Sequence, residues 1–175
     1  MKYIDKFTDF ILEKLILEVG EGSAKAYPYK IDDDFPTRDG AKYRDIRFET
    51  EDGDNYVVNL KAFWGPAIER DKAKPEPYFQ VDFTTEDDYG LYDDAERVVN
   101  KGRLFKVMAT VVKATKEFIN DIDYKEKDIK KMMIFPSKSS KSDHRRANLY
   151  MAYIKKHLPT SNIKYNGKII TAKLK

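Results

Sequence analysis

Between residues 43 and 122 the apolar residues switch from a spacing of two to a helical spacing, and that switch limits the fold more than any other feature. Residues 43–50 set Ile46 and Phe48 on one side against Asp45, Arg47 and Glu49 on the other. Residues 55–63 alternate Tyr56, Val58 and Leu60, and residues 78–85 alternate Phe79, Val81 and Phe83 against Gln80, Asp82 and Thr84. A period of two belongs to strands with one buried face. Asp52-Gly53 between the first two runs predicts a β-hairpin, since glycine takes the positive φ a tight turn needs. After Gly102 the spacing becomes helical. Leu104, Phe105, Met108, Val111, Val112, Thr115, Phe118 and Ile119 then form a stripe broad enough to cover a sheet.

The remaining elements follow with little spare linker. Met132-Met133-Ile134-Phe135 is short, continuous and apolar, as a central strand would be. Ser142-Asp143 caps a last helix whose Ala147, Tyr150, Met151, Ile154 and Leu158 share a face, and Pro159 ends it. Asn166-Gly167 predicts a final hairpin within 162–174. At the other end, Ile4, Phe7, Ile11 and Leu15 predict an amphipathic helix over 3–17, stopped by Gly20-Glu21-Gly22-Ser23. Residues 24–42 read as mostly loop, and 64–77 as a polar connection with three prolines. The expected fold is one α/β (α+β) domain over 1–175. It has an N-terminal helix at 1–22, three antiparallel strands at 43–85, and a helix-strand-helix-strands unit at 100–175, around a mixed, mostly antiparallel sheet.

Composition excludes several chemistries. Without cysteine there is no disulfide, thiolate metal site or cysteine nucleophile. No 18-residue apolar run exists, so no membrane span is expected. Acidic Asp5 stands within Met1–Phe7 where a secretion signal would be apolar, and a cytoplasmic location is expected. No metal site is expected either. Residues 86–96 hold six acidic residues in eleven but lack the spacing of a calcium loop. His144 and His157 stand thirteen residues apart without a completing ligand set.

Charge is unevenly placed. The net charge is +3, yet residues 97–175 carry 20 Lys and Arg against 6 Asp and Glu. Residues 1–96 carry 13 basic and 24 acidic side chains. Either the basic half meets an anionic partner such as nucleic acid, or opposite faces drive self-association or protein binding, or the halves neutralise each other in space.

Three candidate sites emerge. Gly102, flanked by Lys101 and Arg103, enters a helix whose free N–H groups and dipole attract an anion. Lys138, Lys141, His144, Arg145 and Arg146 follow the central strand, where open α/β sheets often hold ligands. Tyr150 is a candidate general acid if its hydroxyl faces a cleft, and a core residue if its helix face is buried. No serine triad or P-loop is present.

The order strand–strand–strand, Gly-bearing turn, long helix, strand, helix with Leu149-Tyr150, terminal strands resembles the GNAT-type acyltransferase fold. The resemblance implies that Asn100, Lys101, Gly102, Arg103 and Leu104 cradle the pyrophosphate of acetyl-CoA, with Tyr150 protonating the departing thiolate. The family cradle carries a Gln or Arg, a Gly, then a Gly or Ala two positions on; here Val99 and Leu104 stand instead. A leucine there crowds a pyrophosphate. Lys155-Lys156-His157-Leu158 replaces the Gly-Phe that usually follows the tyrosine helix. Asn-Lys-Gly, the Phe-Lys-Val-Met-Ala-Thr-Val-Val helix, the short strand and Arg-Arg-x-x-Leu-Tyr also resemble small uncharacterised tailed-bacteriophage proteins over roughly residues 43–158. Together these imply a phage-encoded binding or virion-assembly module without a cofactor, working in the host cytoplasm or the virion. The alternatives are an acetyl-CoA-dependent N-acyltransferase and a phosphate-backbone binding protein.

Overall fold

The computed structural model describes residues 25–36, 40–65, 76–86, 101–135 and 145–175, with the backbone alone at 35–36, 101–104 and 145–146. The helix expected at 3–17, most of the acidic run at 86–96, Asn100, and the loop bearing Lys138, Lys141 and His144 lie outside these residues. The elements are β1 (Lys30–Pro36), β2 (Ala41–Glu49), β3 (Asn55–Phe63), β4 (Tyr78–Thr85), α1 (Lys101–Asp121), β5 (Lys131–Phe135), α2 (Arg145–His157), β6 (Thr160–Tyr165) and β7 (Ile170–Leu174). They form a single α+β domain. Seven strands make one sheet in the order β1-β2-β3-β4-β5-β7-β6. Every neighbouring pair is antiparallel except β4 and β5, which are parallel.

The alternation does what it predicts. Ile46, Phe48, Tyr56, Val58, Leu60, Phe79, Val81 and Phe83 are all buried on one side of the sheet. Gly53 takes φ 82° in the β2–β3 turn, and Gly167 takes φ 89° in the β6–β7 turn. There the Asn166 side-chain oxygen accepts bonds from the amides of Lys168 and Ile169 at 3.0 and 2.8 Å. Both helices cover that same side. Phe118, late in α1, packs edge-on against Phe79, early in β4; Tyr150, early in α2, packs against Phe83, late in β4. The two helices meet where the Tyr153 hydroxyl donates to the Phe105 carbonyl at 3.1 Å.

Two expectations need correcting. Residues 30–36 are an edge strand and not loop, although they carry Asp32-Asp33-Asp34. Arginines hold the strand in place: Asp34 pairs with Arg44 and Asp32 with Arg47, across a register shift between Ile31 and Asp33. An edge strand tolerates charge that a central one would not, and bulges with inward charge are how edges avoid further pairing. Gly102 does not stand in a turn ahead of the helix; α1 already includes Lys101 and Gly102. On α2, Leu149, Tyr150, Met151, Ile154 and also Ala152 and Tyr153 are buried, so its middle is packed nearly all round.

Candidate functional site

The parallel pair fixes where ligand chemistry can gather. Each of β4 and β5 is followed by a helix that runs back along the sheet. The contacts Phe79–Phe118 and Phe83–Tyr150 place the starts of α1 and α2 at the carboxyl end of β4. Lys101, Gly102 and Arg103 open α1, Arg145 and Arg146 open α2, and neither helix has an acidic residue in its first turn. The topology therefore brings two of the sequence-derived candidates to one end of the sheet. Two helix N-termini there add unpaired N–H groups and positive dipole ends to those cations.

Tyr150 is placed otherwise. It is 1% exposed, its ring 5.1 Å from that of Phe83 at 72°. It belongs to the packed layer between α2 and β4, as its position on the apolar face of the helix implied.

The charge asymmetry of the sequence survives folding. Asp32, Asp34 and Asp82 pair with Arg47, Arg44, Lys42 and Lys61 of their own half. Among the described residues, Arg44–Asp121 and Lys106–Glu51 are the ion pairs that join the acidic half to the basic one. The unit α2-β6-β7, residues 145–175, contains eight Lys and Arg and no Asp or Glu. Its Lys155, Lys156, Lys164, Lys168 and Lys173 are exposed, and none of them forms an ion pair among the described residues. Partial burial, then the charges of Lys156 and Lys116, push the His157 imidazole below its ordinary value, as a positive local field should.

One residue went unremarked in the sequence. Arg44 shares the parity of Ile46 and Phe48 and so points into the helix-covered side, where it is 5% exposed. Its Nη2 donates to Asp34 at 2.9 Å and its Nη1 reaches Asp121, the last residue of α1, at 2.7 Å. The guanidinium lies 5.4 Å from the Phe118 ring centroid, and Nε has no partner. Burial alone would lower its pKa, but hydrogen bonds to Asp34 and Asp121 outweigh that and raise it. The signal was available: a cation in an apolar register position needs a carboxylate brought to it. Beside it, the Tyr29 hydroxyl donates to Glu117, and burial followed by that bond raises the Tyr29 pKa.

Among the described residues no group of three or more His, Asp or Glu side chains could hold a metal ion, and no helix is long and apolar enough to cross a membrane. No family model, curated protein or solved structure matches the chain.

Proposed function

We propose that this chain is a non-catalytic binding or assembly module of tailed-phage type on a GNAT-like scaffold, gripping an anionic partner through its basic C-terminal half. The phage origin and the GNAT relationship rest on the sequence resemblance alone. The observation that carries the binding reading is the carboxylate-free unit α2-β6-β7, whose exposed lysines lack ion pairs among the described residues. Lysines that are neutralised within a fold contribute to stability; lysines without an ion pair among the described residues are available to a partner. The buried, ring-packed Tyr150 is consistent with a scaffold that holds and does not transform.

An acetyl-CoA-dependent N-acyltransferase is the second reading. What favours it is the convergence of the α1 and α2 starts at the carboxyl end of the parallel pair. Thermal unfolding separates the two. A ligand that binds only the folded state raises Tm by mass action. We expect no shift with millimolar acetyl-CoA, and salt-sensitive binding of a generic polyanion such as heparin. A clear acetyl-CoA shift refutes the binding-module reading.

A further inference from the structure

The side of the sheet opposite α1 and α2 has an ordered composition. Strand pairing sets its side chains in rows that cross the sheet. One row runs Phe63, Tyr78, Lys131, Lys173; the next runs Tyr43, Lys61, Gln80, Met133, Thr171, Lys164. A third holds Asp33, Asp45, Asn59 and Asp82. The face is partly exposed in its middle, where the Lys61 and Asp82 side chains keep 33% and 28% of their surface, and closed at Val57, which is fully buried.

At one end the aromatic rings form a continuous patch. Tyr43 and Phe63 meet edge-to-face at 5.6 Å, and Phe63 and Tyr78 lie 4.9 Å apart. All three are half-buried, so each still offers ring surface. Beside them stand exposed Lys131 and Lys173, then Lys164 on the edge strand, with no ion pair to any of the three among the described residues. Lys61, by contrast, is held 3.5 Å from Asp82, which also accepts from Gln80 at 2.8 Å.

We propose that the Phe63–Lys173 end of this face binds single-stranded nucleic acid, its bases stacking on Tyr43, Phe63 and Tyr78 and its phosphates meeting Lys131, Lys173 and Lys164. The proposal deepens the binding-module reading and rests on it, since both require the C-terminal lysines to be free. Aromatic platforms beside a cationic track are the general means of gripping unpaired bases and a charged backbone together. From β2 to β6 the face spans about 24 Å at roughly 4.8 Å per strand, room for several nucleotides. The row of Asp33, Asp45 and Asp82 repels phosphate and confines the strand to the Phe63–Lys173 side. A duplex hides its base faces and gains only the lysines.

Fluorescence anisotropy with labelled 15-nucleotide DNA and RNA single strands, and with a duplex of the same length, tests this. We expect salt-sensitive binding of the single strands at least tenfold tighter than of the duplex. Lys131→Glu combined with Lys173→Glu, both at exposed positions, should weaken it tenfold or more, while Lys116→Glu with Lys125→Glu, equally exposed but outside the face and the basic C-terminal unit, should leave it within about threefold. Phe63→Leu keeps the packing but removes a ring, and should lower single-strand affinity without changing the duplex value. Equal affinity for duplex and single strand, or indifference to the Lys131 and Lys173 reversals, overturns the proposal. Heparin binding without single-strand preference overturns it too, yet leaves the binding-module reading standing. Absence of binding to any polyanion at low salt defeats both.

Discussion

Arg44 allows a test in which the two sides of one ion-pair cluster should behave differently. Its side chain is 6% exposed, whereas those of Asp34 and Asp121 are 37% and 52% exposed. If the arginine is removed, both carboxylates can return to water, so their lost attraction resembles that of surface pairs, about 0–1 kcal/mol each. Arg44→Met also relieves the unpartnered Nε, worth about 1 kcal/mol, and sets a thioether against Phe118. Against this, Asp121 at the C-terminus of α1 loses the cation that offsets the helix dipole, costing about 0.3–1 kcal/mol. The net change should lie within about 1 kcal/mol of the parent. Removing the acids is different. In the double variant Asp34→Ala, Asp121→Ala little packing is lost, because both side chains are well exposed, but a guanidinium that cannot deprotonate or reach water is stranded. A buried charge deprived of its partners costs about 3–5 kcal/mol. At about 2–4 °C per kcal/mol for a domain of this size, the double variant should melt roughly 6–20 °C lower. Urea unfolding followed by circular dichroism, with an unchanged m-value, gives the same comparison at constant temperature. If Arg44→Met destabilises as much as the double alanine variant, the desolvated-cation account is wrong.

Two further perturbations follow from local geometry. Gly40 has φ 77°, a Cβ built on it would lie 2.2 Å from the Gly65 Cα, and its carbonyl accepts from the amides of Trp64 and Gly65 at 2.7 and 3.0 Å. Gly40→Ala should therefore cost about 3 kcal/mol or more in chemical unfolding, combining backbone strain with a clash between two main chains. Gly53→Ala, also at positive φ but 3.8 Å from the nearest side-chain atom, should cost only about 1 kcal/mol. Hydrogen bonds from Lys106 and then Tyr27 hold the Glu51 carboxyl down at about 2, from an ordinary 4.5. A depressed carboxylate contributes stability that is present above pH 4.5 and is lost as pH falls from 4.5 toward 2. The stability difference between the parent and Glu51→Gln, followed by thermal melts across that window, should shrink as pH falls; a difference independent of pH refutes the assignment.

How much of this was legible in the sequence depends on what fixed each element. β3 and β4 were readable to the residue because a period of two with one apolar parity has a single structural solution. The β6–β7 hairpin was readable from Asn166-Gly167, whose turn chemistry is local. β1 was not, because Asp32-Asp33-Asp34 has poor strand propensity and is kept in the sheet by Arg44 and Arg47 from β2, a tertiary cause that no window over 30–36 contains. The candidate anion end was legible as residues but not as a place. Lys101–Arg103 and Arg145–Arg146 are some forty positions apart, and only the parallel β4–β5 pairing brings them to one end. The face opposite the helices was legible least of all, since its rows are made by six strand pairings and no single strand carries more than two or three of its residues.

The single parallel pairing explains both surfaces. A parallel neighbour demands a crossover, and α1 supplies it while covering one side of the sheet. α2 then packs on the same side, its Tyr150 against Phe83 and its Tyr153 against Phe105 of α1. The apolar parity of β2, β3 and β4 is thereby buried, while the other parity is mostly polar and aromatic, with Val57 and Ala41 as buried apolar exceptions. Among the described residues the helices cover only the side of the apolar parity, so their packing does not call for three touching rings at Tyr43, Phe63 and Tyr78. Their alignment with Lys131 and Lys173, on strands far apart in the sequence, is the arrangement on which the proposed single-strand grip depends.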